Sequence, residues 1–368
     1  MSQKRIRDFQ LQVGTMKTGK RNKITDVPGV LVGHSTIKTE ANRTGVTVIL
    51  PGTDNGFVKK YTAASYVHNG FGKSCGLLQI DELGSLETPI ALTNTLNVGL
   101  VWDAMTQYVM DQCEKEKVEV KSLNTVVGEC NDSSINQIQR RAVKEEHVLE
   151  AIRSAEEDFA EGDVGAGTGT VCYGLKGGIG SASRILTVGE KEYTIGVLVQ
   201  SNFGSTEDFV LCGFPAGQWI LKQKKEKENM AVSECDKGSI MTILATDLPV
   251  SARQLKRIIR RTAVGIARTG AYTGHGSGEV MIGFTTANRI PTAKEKPVFS
   301  QTMIHEDFIN LAFRAAAEAS QEAILNSMVC AEQTVGREGQ IYYSLKEFLP
   351  QMVEQTLQFT HVGNAASE

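Results

Sequence analysis

The chain of 368 residues lacks most of the signals that assign a function at first sight. It has no C-x-x-C pair. Its seven cysteines, Cys75, Cys113, Cys130, Cys172, Cys212, Cys235 and Cys330, are scattered and odd in number. This argues against a disulfide framework and reads as reduced thiols of a cytoplasmic protein, mostly in the core. The six histidines are equally dispersed, with no H-E-x-x-H spacing, so no zinc or other metal is expected. No apolar run reaches the ~18 residues of a membrane span. The basic start, Met1-Ser2-Gln3-Lys4-Arg5-Ile6-Arg7-Asp8, has no apolar stretch behind it and does not read as a secretory signal. A net charge of −3 gives no reason to expect a nucleic-acid partner. Phosphate-loop, dinucleotide and G-x-S-x-G signatures are all missing, as is any short-period repeat.

What remains is an ordinary globular composition, long enough for about two domains, in which strands and helices alternate. Short strands are expected at 30–34, 45–50, 89–94, 125–129 and 193–200, with turn residues such as Pro28-Gly29 and Pro51-Gly52 between them. Val67 to Lys73 reads as a loop that lines a pocket, with His68 a packed or solvated loop residue. Helical spacing runs from Val98 to Cys113, with Trp102 and the methionines as core, and from Lys144 to Phe159. The glycine-rich runs 165–170 and 173–180 suggest a phosphate cradle when taken alone. With the specific motifs missing, close backbone packing is the better reading. Lys222 to Lys237 is charged and poor in apolar residues, and is expected to be a mobile, solvated linker. After it, Ser251 with Gln254 forms a capping box for a helix reaching Thr269, and Gly270 closes that helix. A last helix, about Glu306 to Met328, carries a run of alanines suited to close packing. The whole ordering fits an α/β layered fold.

The chemistry concentrates between Asp236 and Asn288. Gly238-Ser239 stands between the charged linker and a buried strand, 240–247. A second strand, 280–287, follows Ser277 and Glu279. A serine hydroxyl needs a base to take its proton, and the histidines are badly distributed for a triad. If the bond before Ser239 is cut, the new α-amine, with a pKa of about 7.7–8, lies beside the hydroxyl and can serve as that base. Gly238 leaves the attacked carbonyl unhindered. Ser277 and Glu279 are two apart and so share a face in extended chain. Glu279 either orients Ser277 or anchors a substrate ammonium. Asn202, at the end of strand 193–200, is a candidate oxyanion donor, or else a turn-forming asparagine.

These residues, together with Ile24-Thr25-Asp26-Val27-Pro28-Gly29-Val30, Asn69-Gly70-Phe71-Gly72, Leu92-Thr93-Asn94-Thr95, the two glycine runs, Ser201-Asn202-Phe203-Gly204, Gly238-Ser239-Ile240, Ala267-Arg268-Thr269-Gly270 and Gly276-Ser277-Gly278-Glu279, carry a resemblance. The chain resembles the L-aminopeptidase/D-esterase and β-peptidyl aminopeptidase family, whose fold is related to that of ornithine acetyltransferase. The resemblance covers nearly the whole sequence. It implies a four-layer αββα sandwich and self-cleavage between Gly238 and Ser239. The fragments 1–238 and 239–368 would stay together in one compact domain, usually as a homotetramer. It implies Ser239, Ser277, Glu279 and Asn202 as catalytic residues and no cofactor. Substrates would be short peptides, amides or esters with a free amino terminus, sometimes a D- or β-residue. Asn69 and Ser134 are expected at the substrate. Ser134 marks a departure: where the family commonly has Asn-Asp-Gly-Tyr-Leu, this chain has Asn131-Asp132-Ser133-Ser134-Ile135. Two other readings stand beside the hydrolase. One is an acyltransferase of the related fold, against which Ser239 argues, since those enzymes use threonine. The other is a binding protein of the same fold without activity.

Overall fold

The computed structural model describes residues 3–223, 227, 229–293 and 297–354. Its strands are β1 (Leu31–Lys38), β2 (Arg43–Leu50), β3 (Lys59–Gly70), β4 (Ser85–Leu86), β5 (Ile90–Asn94), β6 (Val126–Cys130), β7 (Val171–Cys172), β8 (Leu175–Lys176), β9 (Gly178–Val188), β10 (Lys191–Asn202), β11 (Lys237–Thr246), β12 (Gly276–Pro291), β13 (Thr334–Val335) and β14 (Ile341–Tyr342). The helices are α1 (Leu77–Leu83), α2 (Val98–Lys115), α3 (Glu145–Arg153), α4 (Ala216–Gln223), α5 (Ala252–Ile259), α6 (Thr262–Arg268) and α7 (Ile309–Val329).

Two sheets form the centre. One has the order β1-β2-β5-β6, the other β4-β3-β12-β11-β10-β9. Helices α2 and α3 cover the first, and α5, α6 and α7 cover the second. The layers are therefore α, β, β and α, as expected. Period-2 alternation explains why the sheets stack. On β11, Ile240 and Leu244 point to the helices, while Met241, Ile243 and Ala245 point to the other sheet. Strand β10 does the same, with Val197 and Val199 on the helix side and Leu198 between the sheets. Burying each such side chain stabilises by about 1.5–3 kcal/mol. The alanine run of α7 is buried, and its small side chains let the helix lie close to β9 and β10.

Strands β11 and β12 are parallel, joined by α5 and α6, so their first residues come to one edge. Antiparallel β10 and β3 bring their last residues to that same edge. Strand β6 of the other sheet packs across β11. This convergence positions the site.

Several expectations change. Val67 to Gly70 is not loop but the end of β3, because Gly70 and Asn69 pair with Gly278 and Glu279 of β12. Exposed His68 keeps its solvated reading. The helix from 251 is capped by Ser251 and Gln254 but breaks in two. The Arg261 amide donates three residues back, to Ile258, and the Thr262 hydroxyl takes the Ile259 carbonyl. Helix α3 stops at Arg153 since Ser154 bonds Ala151 and His34, and Glu156 then pairs with Val32. Trp102 and Met110 are not core, being 37 % and 38 % exposed, whereas Met105 is buried.

The linker is also different. Residues 224–226 and 228 lie outside the described residues, but Lys222 and Gln223 close α4. Met230, Ala231 and Asp236 are buried. The Ala231 amide donates to Ile341 at 2.9 Å, so this end of the linker is fastened to β14. The glycine runs serve close packing: a Cβ on Gly167 would lie 2.4 Å from the Ile179 nitrogen, and one on Gly180 2.0 Å from the Ala323 carbonyl.

Candidate active site

Ser239 is the third residue of β11 and pairs with Asn202 of β10 on one side and Gly278 of β12 on the other. Alternation turns its side chain to the face of Met241, toward the other sheet. There it borders an open cavity of about 630 Å³ lined by Asn202, Glu129, Asn131, Ser133, Ser134 and Gly238, among others. Of the residues singled out in the sequence, Ser239, Gly238, Asn202 and Ser134 thus meet in one cavity.

Gly238 has φ +143°, a conformation suited to glycine, and a Cβ there would come within 2.0 Å of the Asn202 carbonyl. The peptide preceding Ser239 therefore lies tightly against β10. Asn202 accepts the Val171 amide at 2.9 Å through Oδ1. That bond fixes which end of the amide is which and leaves Nδ2 as the donor facing the cavity.

Ser277 and Glu279 do not line the cavity. Ser277 pairs with Gly238 across the sheet, and its hydroxyl donates to Glu279 Oε1. Glu279 is fully buried, and its Oε2 has no partner among the described residues. Burial pushes its carboxyl up to about 7, and the Asp236 charge acts in the same direction. Of the two roles open to Glu279, orientation of Ser277 is the one this geometry supports. Asn69 does not line the cavity either. Its amide donates to the backbone carbonyls of Gly274, at 3.0 Å, and Ser277. It clamps the entry to β12, and Phe71 and Lys73 form the wall instead.

The sequence reading missed Glu129 and Asp236. Glu129, next to last in β6, lines the cavity and is only 3 % exposed. Its oxygens accept the Lys73 amide at 2.9 Å and the Thr95 hydroxyl, and among the described residues no cation pairs with it. The signal that picked Asn202, a polar side chain at a strand's end, applies equally to Glu129. Asp236 holds the Gly204 and Gly274 amides, each at 3.0 Å, and so ties together the three segments around Ser239. Cys130, beside Ser239, is no competing nucleophile: burial drives its thiol far up, and it donates to the Ser239 carbonyl. Among the described residues no cluster of His, Cys, Asp or Glu is arranged to hold a metal, and no helix is long and apolar enough to cross a membrane.

A serine at the head of a buried strand, an amide donor opposite it and a buried glutamate in the pocket wall suit a hydrolase site built on an αββα sandwich. The model of peptidase family S58 matches residues 22–342, and the chain belongs to that family. It is 37% identical over 342 residues to the β-peptidyl aminopeptidase BapA of Sphingosinicella microcystinivorans, covering 88% of this chain and 85% of that protein. Its structure is similar to a Burkholderia sp. β-aminopeptidase, with TM-score 0.88, 36% identity and 96% and 99% of the two chains covered. It is also similar to the L-aminopeptidase D-Ala-esterase/amidase of Ochrobactrum anthropi, described as a variant of the Ntn hydrolase fold. There the TM-score is 0.86 and the identity 31%, again over 96% and 99% of the chains.

Proposed function

We propose that this peptidase is an aminopeptidase for short peptides, amides or esters, and that it cleaves itself between Gly238 and Ser239. The observation that carries the reading is the single cavity bordered by Ser239, the free amide end of Asn202 and the unpaired carboxylate of Glu129. In this reading the Ser239 hydroxyl attacks the Gly238 carbonyl, the bond to the Ser239 nitrogen breaks, and water hydrolyses the resulting ester. The freed α-amine takes the hydroxyl proton in later turnovers. Asn202 stabilises the oxyanion. Ser277, held by Glu279, lies beside the scissile peptide and steadies that amine. Glu129 receives the substrate's ammonium, which restricts the enzyme to free amino termini.

The fastened end of the linker alters how self-cleavage is reached. With Asp236 tied to Gly204 and Gly274, and Gly238 paired with Ser277, a bond presented by the sheet edge is favoured in this reading over one carried by a moving arm. The fragments 1–238 and 239–368 share the six-stranded sheet, in which β11 and β12 lie between β3 and β10, and would remain one domain. Assembly as a homotetramer, a cytoplasmic location and acceptance of D- or β-residues belong to the same proposal, the last supported by the relatives named for β-peptides.

Intact-mass measurement of purified protein, beside Ser239→Ala, tests cleavage. A panel of L-, D- and β-aminoacyl p-nitroanilides tests activity. Two fragments, with hydrolysis that the Ser239→Ala variant lacks, are expected. Hydrolysis unchanged in that variant rejects the assignment. Transfer to added amine in place of free acid release indicates an acyltransferase.

A further inference from the structure

A second cavity, about 640 Å³, adjoins the first and shares with it the wall formed by Ser133 and Ser134. Its other side is the hairpin β13–β14, whose Arg337 amide donates to the Ser134 carbonyl at 3.2 Å. Arg43 of β2 and Arg337 line it, and among the described residues neither is ion-paired. Glu40 and Glu338 line it too, so its net charge is near zero. Such a site is poor at capturing a free anion. It can hold one delivered by a tether, because a group already anchored next door arrives at high effective concentration.

We propose that this annex receives the departing side of the substrate and that Arg337 and Arg43 bind its C-terminal carboxylate, making the enzyme selective for short peptides with a free acid end. The inference rests on the aminopeptidase reading above. The length agrees. Glu129, which would fix the amino terminus, is four residues before Ser133, so the two are at most about 14 Å apart. A peptide of no more than roughly four residues is enough to reach from Glu129 to that shared wall. The serines at 133 and 134 have short side chains, so little side-chain bulk stands on the shared wall. A guanidinium matches a carboxylate in shape, with paired donors on one edge.

The test compares β-alanyl-alanine, its C-terminal carboxamide and β-alanyl p-nitroanilide, each with an L-alanyl counterpart. The free acid is expected to have a kcat/KM at least about tenfold above that of the carboxamide. Arg337→Ala and Arg43→Ala should each reduce that ratio, chiefly through KM, and leave p-nitroanilide hydrolysis unchanged. Arg337 also touches the Ser133 carbonyl, at 3.3 Å, so Arg43 gives an arm free of that contact. Equal rates on acid and carboxamide, with p-nitroanilides cleaved, overturn the annex alone. A ratio unmoved in both variants does the same. If no p-nitroanilide is cleaved, the aminopeptidase reading falls and takes the annex with it.

Discussion

Two groups of buried carboxylates in this fold are handled in opposite ways. Glu318 and Glu322 on α7 face Arg184, itself fully buried, at 3.1 and 2.7 Å, and Arg7 adds a second cation to Glu322 at 2.7 Å. Burial pushes the Glu322 carboxyl up, but the Arg7 and Arg184 contacts outweigh it and hold it below the usual range. At Glu318 burial is outweighed by the Met16 and Thr15 amides, with Arg184 adding to them, and the carboxyl is again lowered. Glu279 has no such cation. Burial wins there, and one oxygen is left without a partner among the described residues. The first group fastens the N-terminal segment and β9 to α7. The second is a carboxyl without a cation, close to the bond proposed for cleavage. A buried charge that serves architecture is paired, while one left unpaired costs stability and marks a place for chemistry.

The largest effect should come from breaking the paired group. Arg184→Met leaves Glu318 without its buried cation and Glu322 with Arg7 alone. A loss of about 3–5 kcal/mol is expected in urea unfolding, with the specific activity of the folded fraction unchanged. Adding Glu318→Gln and Glu322→Gln should restore part of that loss. A loss under about 1 kcal/mol would remove the contrast with Glu279.

At the cavity the next effect is on rate. Asn202→Ala removes the free amide end and also the acceptor for the Val171 amide. The expected fall in kcat is about 10²–10³, equivalent to roughly 3–4 kcal/mol, with a smaller change in KM. Near-normal kcat would assign Asn202 to the turn alone. A fall in thermal stability with kcat intact would reduce it to a mirror of Arg184.

The contrast between the groups was only half visible in the sequence. Long, nearly continuous apolar runs, such as 240–247, disclose themselves as buried strands, and strand ends then point to Ser239 and Asn202. Glu129 obeys the same rule, yet nothing local separates it from a surface glutamate, because its burial comes from β11 packing across β6. The fastened linker was hidden by composition. Lysines and glutamates up to Asn229 mask the fact that Met230 and Ala231 pack against β14, and that Asp236 serves two loops far apart in the chain. Asn69 is expected at the substrate because it lies in a segment that reads as loop and in a stretch that carries the resemblance, but pairing with β12 turns its amide to backbone. Arg184, Glu318 and Glu322 are more than 130 residues apart in part, and no spacing brings them together before the sheet does.

The smallest effect, and the one that most sharpens the comparison, is Glu279→Gln. Glutamine keeps the acceptor for the Ser277 hydroxyl and removes the charge. Glu279 holds its proton up to about pH 7 in the folded protein, against about 4.5 as its ordinary value. The native state therefore binds the proton more tightly than the unfolded chain. Its contribution is complete below about pH 4.5 and is lost as pH rises through about 7. The wild type should lose stability relative to the glutamine variant across that window, by at most on the order of 3 kcal/mol, since one pKa unit corresponds to about 1.4. Catalysis should change in the opposite sense. Above about pH 7 the ionised carboxylate is the stronger acceptor for Ser277, so wild-type kcat/KM gains a limb there. The variant should keep only the limb of the Ser239 amine, near 7.7–8. Thermal unfolding and kcat/KM measured from pH 5 to 9 read both. Parallel stability curves with identical rate profiles would show Glu279 to be another neutralised structural carboxylate, and the distinction between the two groups would not hold.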